Sequence, residues 1–381
     1  MNKLETLSET ETVIGNIDRI DLIIVRLPFV KPFATSTYTR NVKEALLVKI
    51  SAGDFTGWGE CVADPDPFYS PETTVSARHI IKDFLIPGIA GAVTPAEVEK
   101  RFQQVRGNGM AKAAVENALI DLLAKQNNIP LHQFLGFPAR KIMSGISIGL
   151  QNSISDLIAA VGEARVKKYH RIKMKIKRGQ DIAWVRAVRE KFPDIMLMVD
   201  ANGDYQLTDA AEGLQQLDAF NLMMIEQPLS YFDIYQHSIL QRALKTPLCL
   251  DESIHSLDDA AAAIALGSCR ILNIKQGRVG GLLESRRMAR FAADHDIGVW
   301  SGGMDETGIG RAVNIHLQAD KNFNLPGDTS ETSRYFHEDI VEPPVVLDSN
   351  GIIDIPAGGG SGVKILPKIL SKYTIHQERI K

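Results

Sequence analysis

The sequence predicts an α/β chain: an α+β block of about 130 residues, followed by a parallel (β/α) barrel of seven or eight strands. Three observations predict it. From Ile142 onward, short apolar runs alternate with amphipathic helical stretches, the rhythm of parallel strands joined by right-handed crossovers. Several of these runs end on a charged residue, at steps close to the length of one βα unit. No GxGxxG follows the first of them, which disfavours the alternative of a doubly wound open sheet.

The elements follow in order. Ile17 to Leu27 alternates apolar and polar residues as a strand does, and then meets Pro28. Ala45–Ile50 and Phe55–Val62, around Ala52-Gly53-Asp54, read as a hairpin. A proline-rich loop, Asp64 to Phe68, leads to helical periodicity from Pro71 to about Leu85 and from Met110 to about Gln126. The barrel strands are Gly145–Gly149, Arg171–Ile176, Ile195–Asp200, Leu222–Glu226, Leu248–Asp251, Ile271–Lys275 and Gly298–Ser301. An eighth is expected near Phe323–Pro326.

Composition narrows the class without naming a reaction. Hydrophobic residues make up 44% of the chain and charged residues 23%, and 43 basic against 46 acidic side chains leave a net charge of −3. A basic nucleic-acid-binding stripe is therefore not expected. Cys61, Cys249 and Cys269 are odd in number and far apart, which argues against a disulfide scaffold or structural zinc and fits a reducing cytoplasm. No apolar run approaches the ~18 residues needed to span a membrane. Met1–Gly15 is polar and acidic, lacks the order of a signal peptide, and reads with residue 16 as a flexible extension.

The chemistry lies in the strand ends. Lys175, Asp200, Glu226, Asp251 and Lys275 follow one another at steps of 25, 26, 25 and 24 residues. In a parallel barrel, strand C-termini share one mouth. Lys173 and Lys175, two apart, share a face. Met196 and Met198, with the parity of Asp200, and Met224, with that of Glu226, are expected to pack beneath the charged layer. One acidic residue after a strand is ordinarily a helix cap or a solvated side chain. Independent caps do not account for lysine, three carboxylates and lysine at one period. Three carboxylates at one mouth repel one another and call for a cation; an all-oxygen set suits Mg²⁺, with Mn²⁺ as a substitute. Flanking lysines suit proton abstraction beside a carboxylate, with the charge that develops held by the metal.

Lys173-Met174-Lys175, Val199-Asp200-Ala201-Asn202, Ile225-Glu226-Gln227-Pro228, Leu250-Asp251-Glu252-Ser253 and Asn273-Ile274-Lys275 resemble the motifs of the enolase superfamily. More narrowly they are similar to its muconate-lactonizing subgroup. The mandelate-racemase branch carries a histidine near the seventh strand end, where this chain has Trp300-Ser301-Gly302-Gly303-Met304. That segment, with Gly277-Arg278-Val279-Gly280-Gly281 and Gly308-Ile309-Gly310-Arg311-Ala312, resembles the o-succinylbenzoate synthase / N-acylamino acid racemase family.

The resemblance implies a TIM-like barrel, 141–330, closed by an α+β capping domain, 17–140, to which a C-terminal segment, 331–381, returns from about Glu342 to Leu366. It implies Asp200, Glu226 and Asp251 as metal ligands, and Lys175 and Lys275 as groups on the two faces of the substrate α-carbon. Lys173 would hold a substrate carboxylate oxygen. Ser147, Asn202, Ser301, Gly302, Gly303 and Met304, with Phe33, Phe68 and Tyr69 from the cap loops, would line the pocket. The implied activity is a syn dehydration in menaquinone biosynthesis, with racemization of N-acylamino acids or another epimerase or cycloisomerase reaction as the alternative; Arg278, three residues after the second lysine, supports a racemase function. A non-catalytic binding barrel is disfavoured because no ligand or base is missing. The implied partners are a small-molecule carboxylate and further copies of the chain in a homo-oligomer. One departure stands out: relatives carry an apolar residue after Gly-Gly-Met, and this chain has Asp305. An acid there would disfavour an acidic tail on the substrate, bind a donor group, or face solvent. Gly358–Gly362 reads as a flexible turn.

Overall fold

The computed structural model describes residues 12–13, 15–35, 38–89 and 94–381, with the side chains of 209–212 outside the description. The extension expected over 1–16 falls almost wholly outside these residues. Strands β1 (Arg19–Ala34), β2 (Thr39–Ala52) and β3 (Phe55–Cys61) form an antiparallel meander, and the C-terminal strand β11 (Thr374–Arg379) adds to the free edge of β1. The chain reaches the cap before Leu366 as well, since Val363 and Ile365 pack against the cluster of Ile23, Val25, Leu27 and Leu47. β1 also runs through Pro28 instead of ending there. Pairing with β11 stops at Val25, so that edge asks no backbone donor of Pro28.

The first helix, α1 (Thr74–Ile80), begins three residues later than Pro71. Thr73 accepts from the Ser76 amide, and the Ser76 hydroxyl accepts from the Thr73 amide in return, a reciprocal cap that fixes the start. The chain continues helically to Ile89. Helix α2 (Gly109–Gln126) is buried almost all round, because it lies between the meander and the barrel. Its approach to β3 depends on two glycines. A Cβ at Gly59 would stand 1.9 Å from the Ala114 carbonyl oxygen, and one at Gly57 2.0 Å from that of Ala118.

Seven parallel strands form the barrel in chain order: β4 (Gly145–Ile148), β5 (Arg171–Lys175), β6 (Leu197–Asp200), β7 (Ile225–Glu226), β8 (Leu248–Leu250), β9 (Ile271–Ile274) and β10 (Gly298–Ser301). Helices α3 (Ile154–Val166), α4 (Ile182–Lys191), α5 (Leu207–Gln215), α6 (Tyr235–Ala243), α7 (Leu257–Leu266) and α8 (Leu282–Ala293) alternate with them, and α9 (Gly308–Leu317) follows β10. Ser153, Ser256 and Thr307 cap α3, α7 and α9 by accepting backbone amides, so several of these helices start where the sequence supplies a hydroxyl.

No eighth strand forms near Phe323–Pro326 among the described residues. An extended segment closes the barrel there through single hydrogen bonds instead. Leu325 and Asp328 amides donate to Val299 and Ser301 of β10, and Gly327 accepts from the Gly145 amide of β4. Pro326 and the glycine beside it offer no continuous ladder. Inside the barrel, Met198, Met224, Cys249, Ile271 and Trp300 pack as one buried layer, while Met196 stays 45% exposed at the far end. A second core joins sheet and barrel: Leu46, Val48, Leu119 and Leu122 pack in the same cluster as Leu250, Leu272 and Ile274. Gly358–Gly362 is a tied turn. Gly360 exchanges backbone hydrogen bonds with Ile129 and Leu131, and Ser361 donates to Asp121.

Because β3 and α2 touch through backbone, Gly59→Ala is expected to cost about 1–3 kcal/mol of stability by overpacking, read as a lower denaturant midpoint with an unchanged slope. A midpoint equal to that of the parent would show that the two elements separate freely.

Candidate active site

Strand register sets the charged layer. Lys175 is directly opposite Asp200, and Asp200 opposite Glu226, on neighbouring strands. Asp251 and Lys275 follow the last residues of β8 and β9. All five are buried, together with Lys173. Such burial of charge is tolerable only with partners at hand. Lys175 Nζ donates to Asp200 Oδ2 at 2.6 Å and to Asn202 Oδ1 at 2.7 Å. Lys173 Nζ reaches Glu226 at 3.1 Å, Asp200 at 3.3 Å and Asp328 at 2.9 Å. Asp251 lies between Lys275 at 2.9 Å and Arg278 at 2.5 Å.

The charges are unequally served. Burial opposes ionisation of Asp200, but Lys175 and Lys173 overcome it and hold its carboxyl below the usual range. Burial likewise opposes that of Asp251, and Arg278 and Lys275 overcome it. Glu226 goes the other way. Burial and then the charge of Asp200 push its carboxyl well above the ordinary range, and Lys173 offsets only part of this. Asn273 Nδ2 donates to its other oxygen at 2.8 Å. Burial also works against the ammoniums of Lys173 and Lys275. Asp328, Glu226 and Asp200 outweigh it at Lys173, and Asp251 with Glu252 outweighs it at Lys275, so both are held charged above the ordinary lysine range. Among the described residues no three His, Cys, Asp or Glu side chains are gathered as a ready-made metal cage. The carboxylates are instead hydrogen-bonded by the lysines between them.

Phe33, Tyr69, Ser147, Lys173, Lys175, Asn202, Lys275, Gly303 and Met304 all line one cleft over this layer. Tyr69 comes from the loop after β3, and its hydroxyl accepts from Lys275 Nζ at 2.8 Å. Ser147 Oγ is buried and, among the described residues, has no hydrogen-bond partner. Ser301 and Gly302 are not part of the lining. Ser301 Oγ is buried without a partner among the described residues, and a Cβ at Gly302 would meet Asn273 Oδ1 at 2.2 Å. Phe68 is not in the wall either, being 70% exposed.

The cleft holds residues without a distinctive signature in the sequence: Thr35, Tyr38, Arg40, Asp64, Asp328 and Tyr335. Asp328 is the clearest. It pairs with Arg171 at 2.6 Å and Lys173 at 2.9 Å, which hold its carboxyl well below the usual range against burial. The period itself carried the signal, since Ser301 and Asp328 continue it past Lys275 at steps of 26 and 27 residues. Arg40 at the start of β2 and Asp64 in the loop after β3 form an ion pair and left no trace at helical or strand spacing.

Removing Asp328 leaves two buried cations short of a partner. Asp328→Asn is therefore expected to cost about 3–5 kcal/mol, measured by urea unfolding at neutral pH. Unchanged stability would mean that Arg171 and Lys173 are solvated or held by other groups.

The two halves of this architecture have known counterparts. Residues 19–136 match the N-terminal domain of mandelate racemase / muconate lactonizing enzyme, and 156–369 the enolase C-terminal domain-like family. The chain is 46% identical over 362 residues to an o-succinylbenzoate synthase of Geobacillus kaustophilus, covering 94% of this chain and 96% of that protein. It is 44% identical over 358 residues to an N-succinylamino acid racemase of Amycolatopsis sp, covering 93% and 96%. A crystal structure of an enolase superfamily member from Listeria innocua superposes with a TM-score of 0.92 at 40% identity, covering 95% of this chain and 98% of that one. With a buried charged layer at the barrel mouth and both domains matched in order, the chain belongs to the mandelate racemase / muconate lactonizing enzyme family of the enolase superfamily.

Proposed function

We propose that this chain is an o-succinylbenzoate synthase, which removes the proton beside a substrate carboxylate and expels water from the same face. The observation that carries the reading is that Lys173, Lys175 and Lys275 line one cleft over buried Asp200, Glu226 and Asp251. Relatives of that name at 43–46% identity over nearly the whole chain supply the substrate.

The three carboxylates would hold Mg²⁺, with Mn²⁺ as a substitute. They fit such an ion: all are hard oxygen donors, and strand register places Asp200 directly beside Glu226, with Asp251 following the next strand. Bound there, the cation would stabilise the negative charge that grows on the substrate carboxylate. Lys173 would fix one carboxylate oxygen. Lys175 would take the α-proton and pass it to the departing hydroxyl, so that water leaves with no net change at the lysine. Asn202, which accepts from Lys175 Nζ and donates to Glu252 at 2.8 Å, would aim that amine. Lys275, with Tyr69 against it, would stabilise the intermediate by charge, in part over the substrate ring.

A second reading, N-succinylamino acid racemase, is favoured by two lysines in one cleft. In that reaction each lysine takes or gives the α-proton in turn. The lysines are also held differently: Lys175 by Asp200 and Asn202, Lys275 by Asp251 and Tyr69.

Lys175→Ala is expected to lower kcat for dehydration by about 10³-fold or more with the fold intact; a dehydration rate within tenfold of the parent would reject the base assignment. Chelation should abolish activity and added Mg²⁺ restore it, whereas activity indifferent to chelator would reject the carboxylate site. Comparing kcat/KM for dehydration with that for racemization of N-succinylamino acids ranks the two readings.

A further inference from the structure

One buried amide joins the end of β10 to the carboxylate layer. Asn273, on β9, is fully buried, and its Nδ2 donates to Glu226 Oε1 at 2.8 Å. The two oxygens of Glu226 therefore have different partners. Oε1 is taken by a neutral amide, whereas Oε2 accepts from Lys173 Nζ at 3.1 Å, an ammonium that Asp200 and Asp328 also share. At the other end of the amide, Asn273 Oδ1 is buried and, among the described residues, has no hydrogen-bond partner. It faces Gly302 instead. A Cβ at Gly302 would stand 2.2 Å from Asn273 Oδ1 and 2.8 Å from its Nδ2. The φ of Gly302 is not in the left-handed region, so the amide, and not a left-handed backbone, is what demands glycine there. Both sides of the contact are fixed. Arg278 Nη2 donates to the Asn273 carbonyl at 3.2 Å, and the Gly302 amide donates to the Ile274 carbonyl at 3.3 Å.

A buried amide kept only for stability would satisfy both its ends, because an unpaired polar atom in the core is costly. Here one end is unsatisfied, and a glycine is reserved so that the other end can reach Glu226. A carboxylate whose second oxygen is already hydrogen-bonded is oriented before any ion arrives. We propose that Asn273 is a positioning residue for the divalent cation. It holds Glu226 Oε1, so that Oε2, on the side shared with Asp200, is the oxygen offered to the ion, and it depends on Gly302 for the room to do so. This rests on the reading of Asp200, Glu226 and Asp251 as the metal ligands.

Metal binding reads the arrangement without turnover. Mn²⁺ alone would be titrated into the metal-free protein and the free ion followed by electron paramagnetic resonance. Asn273→Ala is expected to weaken Mn²⁺ binding about 10–100-fold, the ordinary effect of losing a partner that orients a ligand. Gly302→Ala keeps the amide but takes its space, and is expected to weaken binding roughly fivefold or more although the three carboxylates and Asn273 are all retained. In the double variant the added methyl group enters the space that the amide vacated. Its affinity is therefore expected to match that of Asn273→Ala alone to within about twofold. A role confined to packing would lower the urea midpoint of Asn273→Ala and leave the Mn²⁺ dissociation constant of the folded protein unchanged, which overturns the proposal. So does a double variant whose loss is the product of the two single losses. Should Asn273→Ala fail to fold, Gly302→Ala decides, and parent-like Mn²⁺ affinity in it rejects the proposal. If the parent itself binds no Mn²⁺, the carboxylate site is wrong and this inference fails with it. If the parent binds and every variant binds equally well, this inference alone fails.

Discussion

The position of Lys173 constrains everything around it. Its ammonium is buried in the barrel mouth within 3.3 Å of three carboxylates contributed by β6, β7 and the segment that closes the barrel. A charge so placed cannot exist without those partners, and they cannot stay ionised together without it. The pairing ties the first half of the barrel to its last segment. That is why closure needs no eighth strand: Asp328 is anchored by Arg171 and Lys173 from β5, and its backbone by Ser301 of β10. Beneath, the Trp300 ring lies 4.7 Å from the Arg171 guanidinium and 4.9 Å from the Lys173 ammonium, so apolar core and charged layer meet at one aromatic face.

The meander completes the site by three separate contacts. Tyr69 hydrogen-bonds Lys275, Lys43 holds the carbonyl of Met304, and Glu60 binds the start of α9. The first reaches the end of β9, and the other two hold the connection between β10 and α9 from either side. Because the two halves also share a hydrophobic core, these polar contacts act on a preformed junction. Orientation of Lys275 and placement of Asp305 are thereby linked to how the meander sits on the mouth.

Much of the site is legible in the amino-acid sequence because a parallel barrel converts sequence period into spatial neighbourhood. Lys175, Asp200 and Glu226 recur once per βα unit, and adjacent strands then place them in register. Asp328 obeys the same period, but the segment before it, Phe323–Pro326, breaks off at proline and glycine and forms no strand, so its local pattern hides it. Arg40, Asp64 and Tyr38 lie in the meander and its loops, where no repeat maps onto the barrel. Ser301 and Gly302 stand at a strand end, as the period requires, yet close packing of Gly302 on Asn273 keeps them behind the lining.

By itself, then, the sequence determined the barrel, its order of strands and the ring of lysines and carboxylates, because each depends on spacing along the chain. The tertiary structure alone decided which charges neutralise which. Long-range approach set the balance: Lys173 meets Asp328 across 155 residues, Arg278 takes up Asp251, and Glu226 is pushed toward its neutral form by burial and by Asp200. Such pairings depend on distances of a few ångströms in a medium that screens poorly, and no periodicity encodes them.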